Sequence, residues 1–512
     1  MSLPDNTILK NAGIAAVTAA SALTLLAIKY NDRPVFVQHL KQIPHHKGAP
    51  LVGNLIELLS NLNRQYDYFL ELFERYDTLS LSAPSLGLEN SILTIDPRNI
   101  EYVLKTNFKN FIKGPTSYVN LKDLLGRGIF SADGENWRWQ RKTASHIFNV
   151  KNFRDQFTEV FVNEMNIMCS NVINSHVENH SPFDFHETIF KFTMDSFVFL
   201  GFGVQLGSLE NEKKAPFAES FDYLQRLASR RFMDPFLSMG LLAQRIFKPW
   251  AMSSADHVKV VDEFAASVIK QRREDLANGI EYNDLLSRFM GTTNDKGERL
   301  NDTELRDTVL NFIIAGRDTT AQALSWLFYR LALSPRIEKK MLEEMGEKIT
   351  DEIENDAPAL YEVINGMTYF HAVFFETLRL YPSVPGNRKC AVEDDILPDG
   401  TPVPAGTYVA WLPYAEGRST KIWGQDATEF KPERWLGEQG DLNRFSQGQW
   451  PAFHGGPRVC LGQNLATLEA LVCVAMILKR YKFTLVPNQD VTYDISLTLP
   501  MKNGLKFFVE KR

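Results

Sequence analysis

The ten residues Phe453-His454-Gly455-Gly456-Pro457-Arg458-Val459-Cys460-Leu461-Gly462 set one cysteine in a glycine-rich, arginine-bearing loop just ahead of an apolar run. A cysteine ligates metal only as the thiolate, and the anion is favoured where backbone N–H groups and the positive end of a helix face the sulfur. Cys460 therefore reads as a metal ligand. Gly456 and Gly462 are positions where the backbone approaches a flat cofactor or turns with positive φ, which a side chain would obstruct. Phe453 offers that cofactor an apolar surface, and Arg458 offers a cation to its carboxylates.

Three further clusters combine chemistry-bearing residues. Ala315-Gly316-Arg317-Asp318-Thr319-Thr320 interrupts a helical pattern with a glycine, which costs about 0.5–1 kcal/mol relative to alanine, and with two β-branched threonines. A local opening of the helix over a bound ligand compensates for that cost. Arg317, one position from Asp318, points to another face and reads as structural or surface. In Trp137-Arg138-Trp139-Gln140-Arg141 an indole N–H and a guanidinium, Trp137 and Arg141, stand one helical turn apart, a spacing suited to a carboxylate. Glu376 and Arg379 share a helix face at i and i+3 within apolar neighbours, which points to a buried pair that needs further partners. Arg434, in Phe430-Lys431-Pro432-Glu433-Arg434-Trp435, is a candidate for one of them.

These residues must be carried by a mainly α fold with small β-sheets. Helical patterns dominate from Asn99 to Lys389, and short alternating segments occur near Ser80 to Ile95, Thr401 to Pro413 and Tyr481 to Val509. The clearest helix starts at Asn301 or Asp302, where Asn301 and Glu304 have capping-box spacing, and runs without proline to Ser334. At about 1.5 Å per residue it spans roughly 45–50 Å, long enough to serve as the spine of a domain.

The chain has 512 residues, 44% of them hydrophobic, and a net charge of -6 with mixed signs, which gives no footing for nucleic acid. Cys169, Cys390, Cys460 and Cys473 form no C-x-x-C pair, so neither a zinc site nor a secreted disulfide framework is expected. No linker or repeat divides the sequence beyond the first fifty residues, so residues 54–512 read as one catalytic domain. Residues 1–30 read as an N-terminal transmembrane anchor, built on the uncharged run Ala12 to Ile28 between Lys10 and Lys29 and weakened by Thr18, Ser21 and Thr24. Lys29, Arg33, Lys41, His45, His46 and Lys47 follow the run, against only Asp5 and Lys10 before it. That asymmetry leaves the catalytic domain in the cytosol. Residues 31–53, with Pro44, Gly48, Pro50 and Gly53, read as a stiff proline/glycine hinge.

Read as F-x-x-G-x-R-x-C-x-G, the loop at 453–462 resembles the haem-binding signature of the cytochrome P450 superfamily at every fixed position. The Ala315 hexapeptide resembles the oxygen-binding groove of that family, and Glu376, Arg379 and Arg434 resemble its E-x-x-R motif and later arginine, with Trp435 where phenylalanine is more frequent. The resemblance covers roughly residues 40 to 512 and implies a P450 fold. It implies haem b (iron protoporphyrin IX) with Cys460 as axial ligand, a thiolate that favours O–O cleavage. It implies cofactor contacts from Trp137, Arg141, Ala315, Gly316, Phe453, Gly456, Arg458 and Gly462, with Trp137, Arg141 and Arg458 on the propionates. Arg388 or Lys389 is expected to add a propionate cation. Asp318 and Thr319 are implied as the catalytic acid-alcohol pair, and Glu376, Arg379 and Arg434 as structural residues that retain the haem.

The activity so implied is a haem-thiolate monooxygenation with O₂ and electrons from NADPH. No G-x-G-x-x-G fingerprint accompanies it, so the expected partners are an NADPH-cytochrome P450 reductase, cytochrome b5 and the lipid bilayer of the endoplasmic reticulum. Arg138 and Lys142 could dock the reductase. Segments similar to the family's substrate-contacting regions are Lys113 to Gly128, Leu224 to Leu242, the face around Phe312 and Ala315, Ser383 to Asn387, and Leu497 to Leu499. They are largely apolar, and Phe232 to Leu242 could dip into a bilayer. Leu380-Tyr381-Pro382-Ser383-Val384-Pro385, Ala315 to Ala321 and Cys460 to Gln463 are similar to fungal alkane and fatty-acid ω-hydroxylases and related plant enzymes. A long-chain alkane or fatty acid is thus the expected substrate, with Arg230 and Arg231 as candidate carboxylate anchors. The alternatives are a sterol or other secondary metabolite, or isomerase/dehydratase chemistry on lipid hydroperoxides.

Overall fold

The computed structural model describes residues 6–37, 40, 42–148, 150–211, 215–282, 284–294 and 297–512. Helices supply the bulk of it. The spine is the helix Asp302–Ile313, a π-helical stretch Ile314–Asp318 and the helix Thr319–Ala332. Its start is the capping box read from the sequence, because the Asn301 side chain accepts from the Glu304 N–H at 3.0 Å and Glu304 accepts from the Asn301 N–H at 2.9 Å. The opening expected at the glycine is the π stretch, and Pro335 begins the next helix.

Three helices pack on this spine: Phe185–Phe202, Thr368–Leu380 and Gln463–Arg480. The last is buried from Leu468 to Leu478, so it is a core helix rather than an amphipathic one. Its C-terminal cations are held from outside, with Lys479 Nζ 2.9 Å from Glu354 Oε2 and Arg480 paired to the same carboxylate. Phe192, Phe202, Leu324, Leu327, Phe374 and Leu471 fill the space between the four.

Among the described residues the strands are β1 Ser80–Ser82, β2 Ser91–Thr94, β3 Phe111–Ile112, β4 Phe183–Asp184, β5 Asn387–Ala391, β6 Asp395–Ile396, β7 Pro402–Val403, β8 Tyr408–Trp411, β9 Tyr481–Leu485 and β10 Lys506–Lys511. One sheet has the order β1-β2-β8-β5-β3, with β2 and β8 parallel, and a smaller one the order β4-β10-β9. Strands β3, β4 and the start of β5 lie where helical patterns were expected. Two-residue strands are too short for an alternating pattern, and β5 is made by pairing with β8, whose Val409 lies opposite Lys389.

The apolar run near the N terminus forms the helix Asn6–Lys29, where Ile14, Val17, Leu23, Leu25 and Ile28 are exposed. Among the described residues no helix is long and apolar enough to cross a membrane, which corrects the expectation of a spanning anchor over 1–30. Thr18 and Thr24 dilute the run, their hydroxyls turned back onto the Ile14 and Ala20 carbonyls at 2.9 and 2.8 Å. Asp5 and Lys41, counted in the charge asymmetry, lie outside the described residues. The segment after this helix is tied to the sheet, since the His46 N–H donates to Ser82 O at 2.8 Å and Pro34 bridges to Leu51.

Candidate active site

Cys460 sits at the end of a chain of tight turns, Pro451–Phe453 and Gly456–Arg458, before the core helix that starts at Gln463. The Cys460 N–H donates to Phe453 O at 2.9 Å, which closes the loop on itself. Gly456 has φ +59°, and a Cβ there would lie 2.0 Å from the Leu104 carbonyl oxygen, so no other residue fits. A Cβ on Gly462 would lie 3.9 Å from the Cys460 sulfur. The sulfur is deep in the protein, yet the residue has open surface, because that surface faces a cavity and not solvent. Burial pushes the Cys460 thiol up, opposed by the Gly462 N–H and by Arg141.

The loop is held from behind by a saturated buried charge network. Arg379 is bidentate on Glu376, with both contacts at 2.8 Å, and both side chains are fully buried. Glu376 also accepts from the Lys431 N–H at 2.8 Å, from Arg434 Nε at 3.0 Å and from Trp435 Nε1 at 3.0 Å. Arg379 donates its other protons to the carbonyls of Gly417, Ala427 and Glu429. Tryptophan at 435 is thereby explained, since phenylalanine has no N–H to give the carboxylate. From Trp435 edge-to-face ring contacts continue to Trp450 at 4.8 Å and on to Phe453 at 5.7 Å, so the network reaches the cysteine loop.

Across the cavity from Cys460 lie Ala315, Gly316 and Thr319 of the spine. Gly316 is there for a close approach, because a Cβ would lie 1.9 Å from the Phe197 ring. The Thr319 hydroxyl donates to Ala315 O at 2.7 Å, across the π stretch. Asp318 does not join it in this cavity. It faces a second one with Asp222, Gln225, Arg317 and Gln322, and its Oδ1 accepts from Gln225 Nε2 at 3.2 Å. Arg317 is correspondingly buried and not at the surface, with Nη1 2.9 Å from Asp222 and 3.5 Å from Asp318. Two adjacent residues share one pocket because a long guanidinium bends back to the carboxylates beside it. Glu469 of the core helix also lines the cysteine cavity, a residue its apolar surroundings hid in the sequence. Burial pushes its carboxyl well above the usual range.

The cysteine cavity, about 280 Å³, tests whether these residues fit a haem. Its two faces are the cysteine loop and the Ala315–Thr319 stretch, and between them Phe148, Phe312, Phe374, Leu378 and Leu465 are apolar. At one edge gather Lys113, Arg141, Lys389 and Arg458, with Trp137 stacked 4.4 Å from the Arg458 guanidinium. Asp133 answers Arg458 at 2.9 Å, but Lys389 Nζ is enclosed without an acceptor. Burial and the neighbouring cations Arg458 and Lys113 bring Lys389 down to about 6, and burial with Arg458 brings Lys113 to about 8. Such an excess of buried cations is stable only beside anions, which the two carboxylates of a haem would supply. The site fits the group, and Cys460, Trp137, Arg141, Lys389 and Arg458 are the residues that would hold it.

Strand alternation decides between Arg388 and Lys389. Lys389 points into the cation cluster, 4.2 Å from the Phe108 ring. Arg388 points the other way and reaches Glu89 at 3.2 Å. Lys113, expected at the head of a substrate segment, belongs to the cluster as well, which only the packing of β3 on β5 reveals.

A further cavity of about 300 Å³ opens from the same region, sharing Ala315, Thr319, Val384 and Asn387 with the first. Leu121, Leu125, Phe232, Met233 and Leu497 come from the expected segments. Leu58, Phe69, Leu88 and Leu93, ahead of all of them in sequence, complete a mostly apolar lining. Arg230 and Arg231 do not anchor anything there. They are paired with Asp234 at 3.0 Å and Asp123 at 2.5 Å, each satisfied by the protein's own carboxylate.

A family model described as Cytochrome P450 matches residues 43–505. Cytochrome P450 704B1 of Arabidopsis thaliana is 37% identical over 510 residues, covering 91% of this chain and 94% of the relative. Cytochrome P450 86B1 of the same organism is 37% identical over 497 residues, covering 93% and 85%. The cytochrome P450 monooxygenase cyp1 of Mycosarcoma maydis is 35% identical over 501 residues, covering 94% and 77%.

Proposed function

This chain belongs to the cytochrome P450 family and is a monooxygenase, and we propose that it hydroxylates a long-chain alkane or fatty acid at the ω end, with electrons passed from NADPH through a separate reductase. The observation that carries this reading is the continuity of two cavities at Thr319 and Ala315. One of them holds Cys460 and the cations, and the other is a mostly apolar chamber suited to an unbranched chain.

Membership of the family implies a haem-thiolate cofactor, which when bound supplies the activation of O₂. The protein's part is positional and electrostatic. Cys460 would hold the iron, with the Gly462 N–H and Arg141 favouring its anion, while Arg141, Lys389 and Arg458 would neutralise the carboxylates and the Trp137 indole N–H would donate to one. Glu376, Arg379 and Arg434 keep the loop in register. Thr319 holds a proton at its hydroxyl on the far side of the cavity. Asp318 is the acid proposed to renew that proton, although its carboxylate faces the second cavity. The apolar chamber excludes water and leaves one chain end beside Thr319.

Two exposed apolar helices support attachment to the cytosolic face of the endoplasmic reticulum membrane: Asn6–Lys29, and Leu237–Phe247 with Phe236, Met239, Leu242, Phe247 and Trp250 exposed around it. A reductase would reach the cysteine side near Arg138 and Lys142, on the helix Gly134–Ser145.

Titrating the purified holoenzyme with alkanes, fatty acids and sterols, and following the spin-state absorbance shift, tests the substrate class. Shifts with alkanes or fatty acids are expected, and a shift with sterols alone overturns the reading. In Thr319→Ala, product formed per NADPH falls several-fold while peroxide rises, and full coupling in that variant would remove Thr319 from the proton path.

A further inference from the structure

Arg388 is a charge in the wall of a mostly apolar cavity that the haem cluster does not use. Its guanidinium lies against the rings of Phe232 at 4.4 Å and Tyr408 at 4.3 Å. Nη1 is held by Glu89 Oε2 at 3.2 Å. The opposite edge, Nε and Nη2, is enclosed and donates to nothing. With two rings packed against it and one nitrogen committed, what remains is the two-donor edge whose geometry matches a carboxylate. Two enclosed donors without an acceptor are costly unless a ligand supplies one.

The position of Arg388 suits the end of a chain rather than its middle. Thr319, Ala315 and the neighbouring Asn387 line both cavities, whereas among the described residues Arg388 lines only the apolar one, beside Glu89, Phe232 and Met233. Phe232 caps the helix Pro216–Arg231 and leads into the exposed apolar segment, so the guanidinium packs against the part of the protein nearest the proposed membrane surface. Arg230 and Arg231, the cations of that segment, are already paired.

We propose that Arg388 is a specificity-determining residue that binds the carboxylate of an acidic long-chain substrate through its Nε–Nη2 edge, so that a fatty acid is preferred to an alkane and its far end is delivered to Thr319. The inference rests on the reading of the apolar cavity as the substrate chamber. Glu89 has two effects in it: it orients the guanidinium, and it opposes a second carboxylate by like charge.

The test is spin-state titration of the holoenzyme with hexadecanoic acid, methyl hexadecanoate and hexadecane, in the wild type, Arg388→Gln and Glu89→Gln. Hexadecanoic acid binds the wild type more tightly than its ester. Arg388→Gln loses roughly tenfold to a hundredfold of the acid affinity and leaves ester affinity unchanged, the range expected for a charge-assisted bidentate contact. Glu89→Gln gains acid affinity and not ester affinity, a change of sign that mere loss of structure cannot produce. Equal wild-type affinity for acid and ester, or parallel losses for both in Arg388→Gln, overturns the role of Arg388 while the lipid reading stands. Absence of a shift with all three probes overturns the lipid reading itself, and this inference with it.

Discussion

Two buried charge clusters flank the cysteine loop, and they are built on opposite accounts. Around Glu376 the carboxylate accepts from Arg379, Arg434, Trp435 and a backbone N–H, and Arg379 in turn donates to three carbonyls, so the charges are answered within the chain. Around Lys389 there are four cations and one nearby acid, Asp133, which is committed to Arg458. A cluster that satisfies itself is a structural clamp. One that leaves an ammonium enclosed without an acceptor is a socket for an anionic ligand.

The contrast predicts opposite signs on mutation. Glu376→Ala strands two guanidinium groups and an indole N–H in the interior, and about 3–5 kcal/mol of stability is lost, measured by chemical unfolding, together with retention of haem. Lys389→Met removes an amine that the haem-free protein can bury only by stripping it of its proton. It stabilises that form by something on the order of 2 kcal/mol, while haem transfer to an acceptor protein becomes faster. Destabilisation of the haem-free form by Lys389→Met would erase the distinction between clamp and socket.

The smallest expected effect is a proton count. Without a bound anion Lys389, at about 6, is neutral at pH 8, and Lys113, at about 8, is half charged. Both sit below their value in the unfolded chain, so the haem-free fold loses stability as pH falls through that window toward 6. Carboxylates raise both groups. Haem insertion at pH 8 therefore takes up protons and weakens as pH rises, which calorimetry in buffers of different ionisation enthalpy would measure. Insertion without proton exchange would place the propionates elsewhere.

Legibility in the sequence followed the range of the contact. The capping box at Asn301, the opening of the helix near Gly316 and the pairing of Glu376 with Arg379 each lie within about a turn, and the structure has all three. Residues whose surroundings come from elsewhere were misread or missed. Arg317 read as either structural or surface, and only its pairing with Asp222 from another helix decides that it is buried. Glu469 is hidden in an apolar helix and gains its meaning only from the cavity beside it. The walls formed by Leu58, Phe69, Leu88 and Leu93 belong to a region with no motif to announce it.

The sequence by itself determined that a glycine-rich cysteine loop, an adjacent acid and alcohol and a W-x-x-x-R spacing occur in one mainly helical chain, because each is a local pattern set by spacing along the backbone. Only the tertiary structure decided that Lys389 and Lys113 join the cation cluster, that Asp318 turns away from the cavity Thr319 lines, and that Arg388 faces the apolar chamber. The physical reason is that burial and charge compensation are sums over every segment that packs around a group. The pairing of β5 with β8, near it in the chain, and with β3, hundreds of residues away, sets that sum for two adjacent cations in opposite ways.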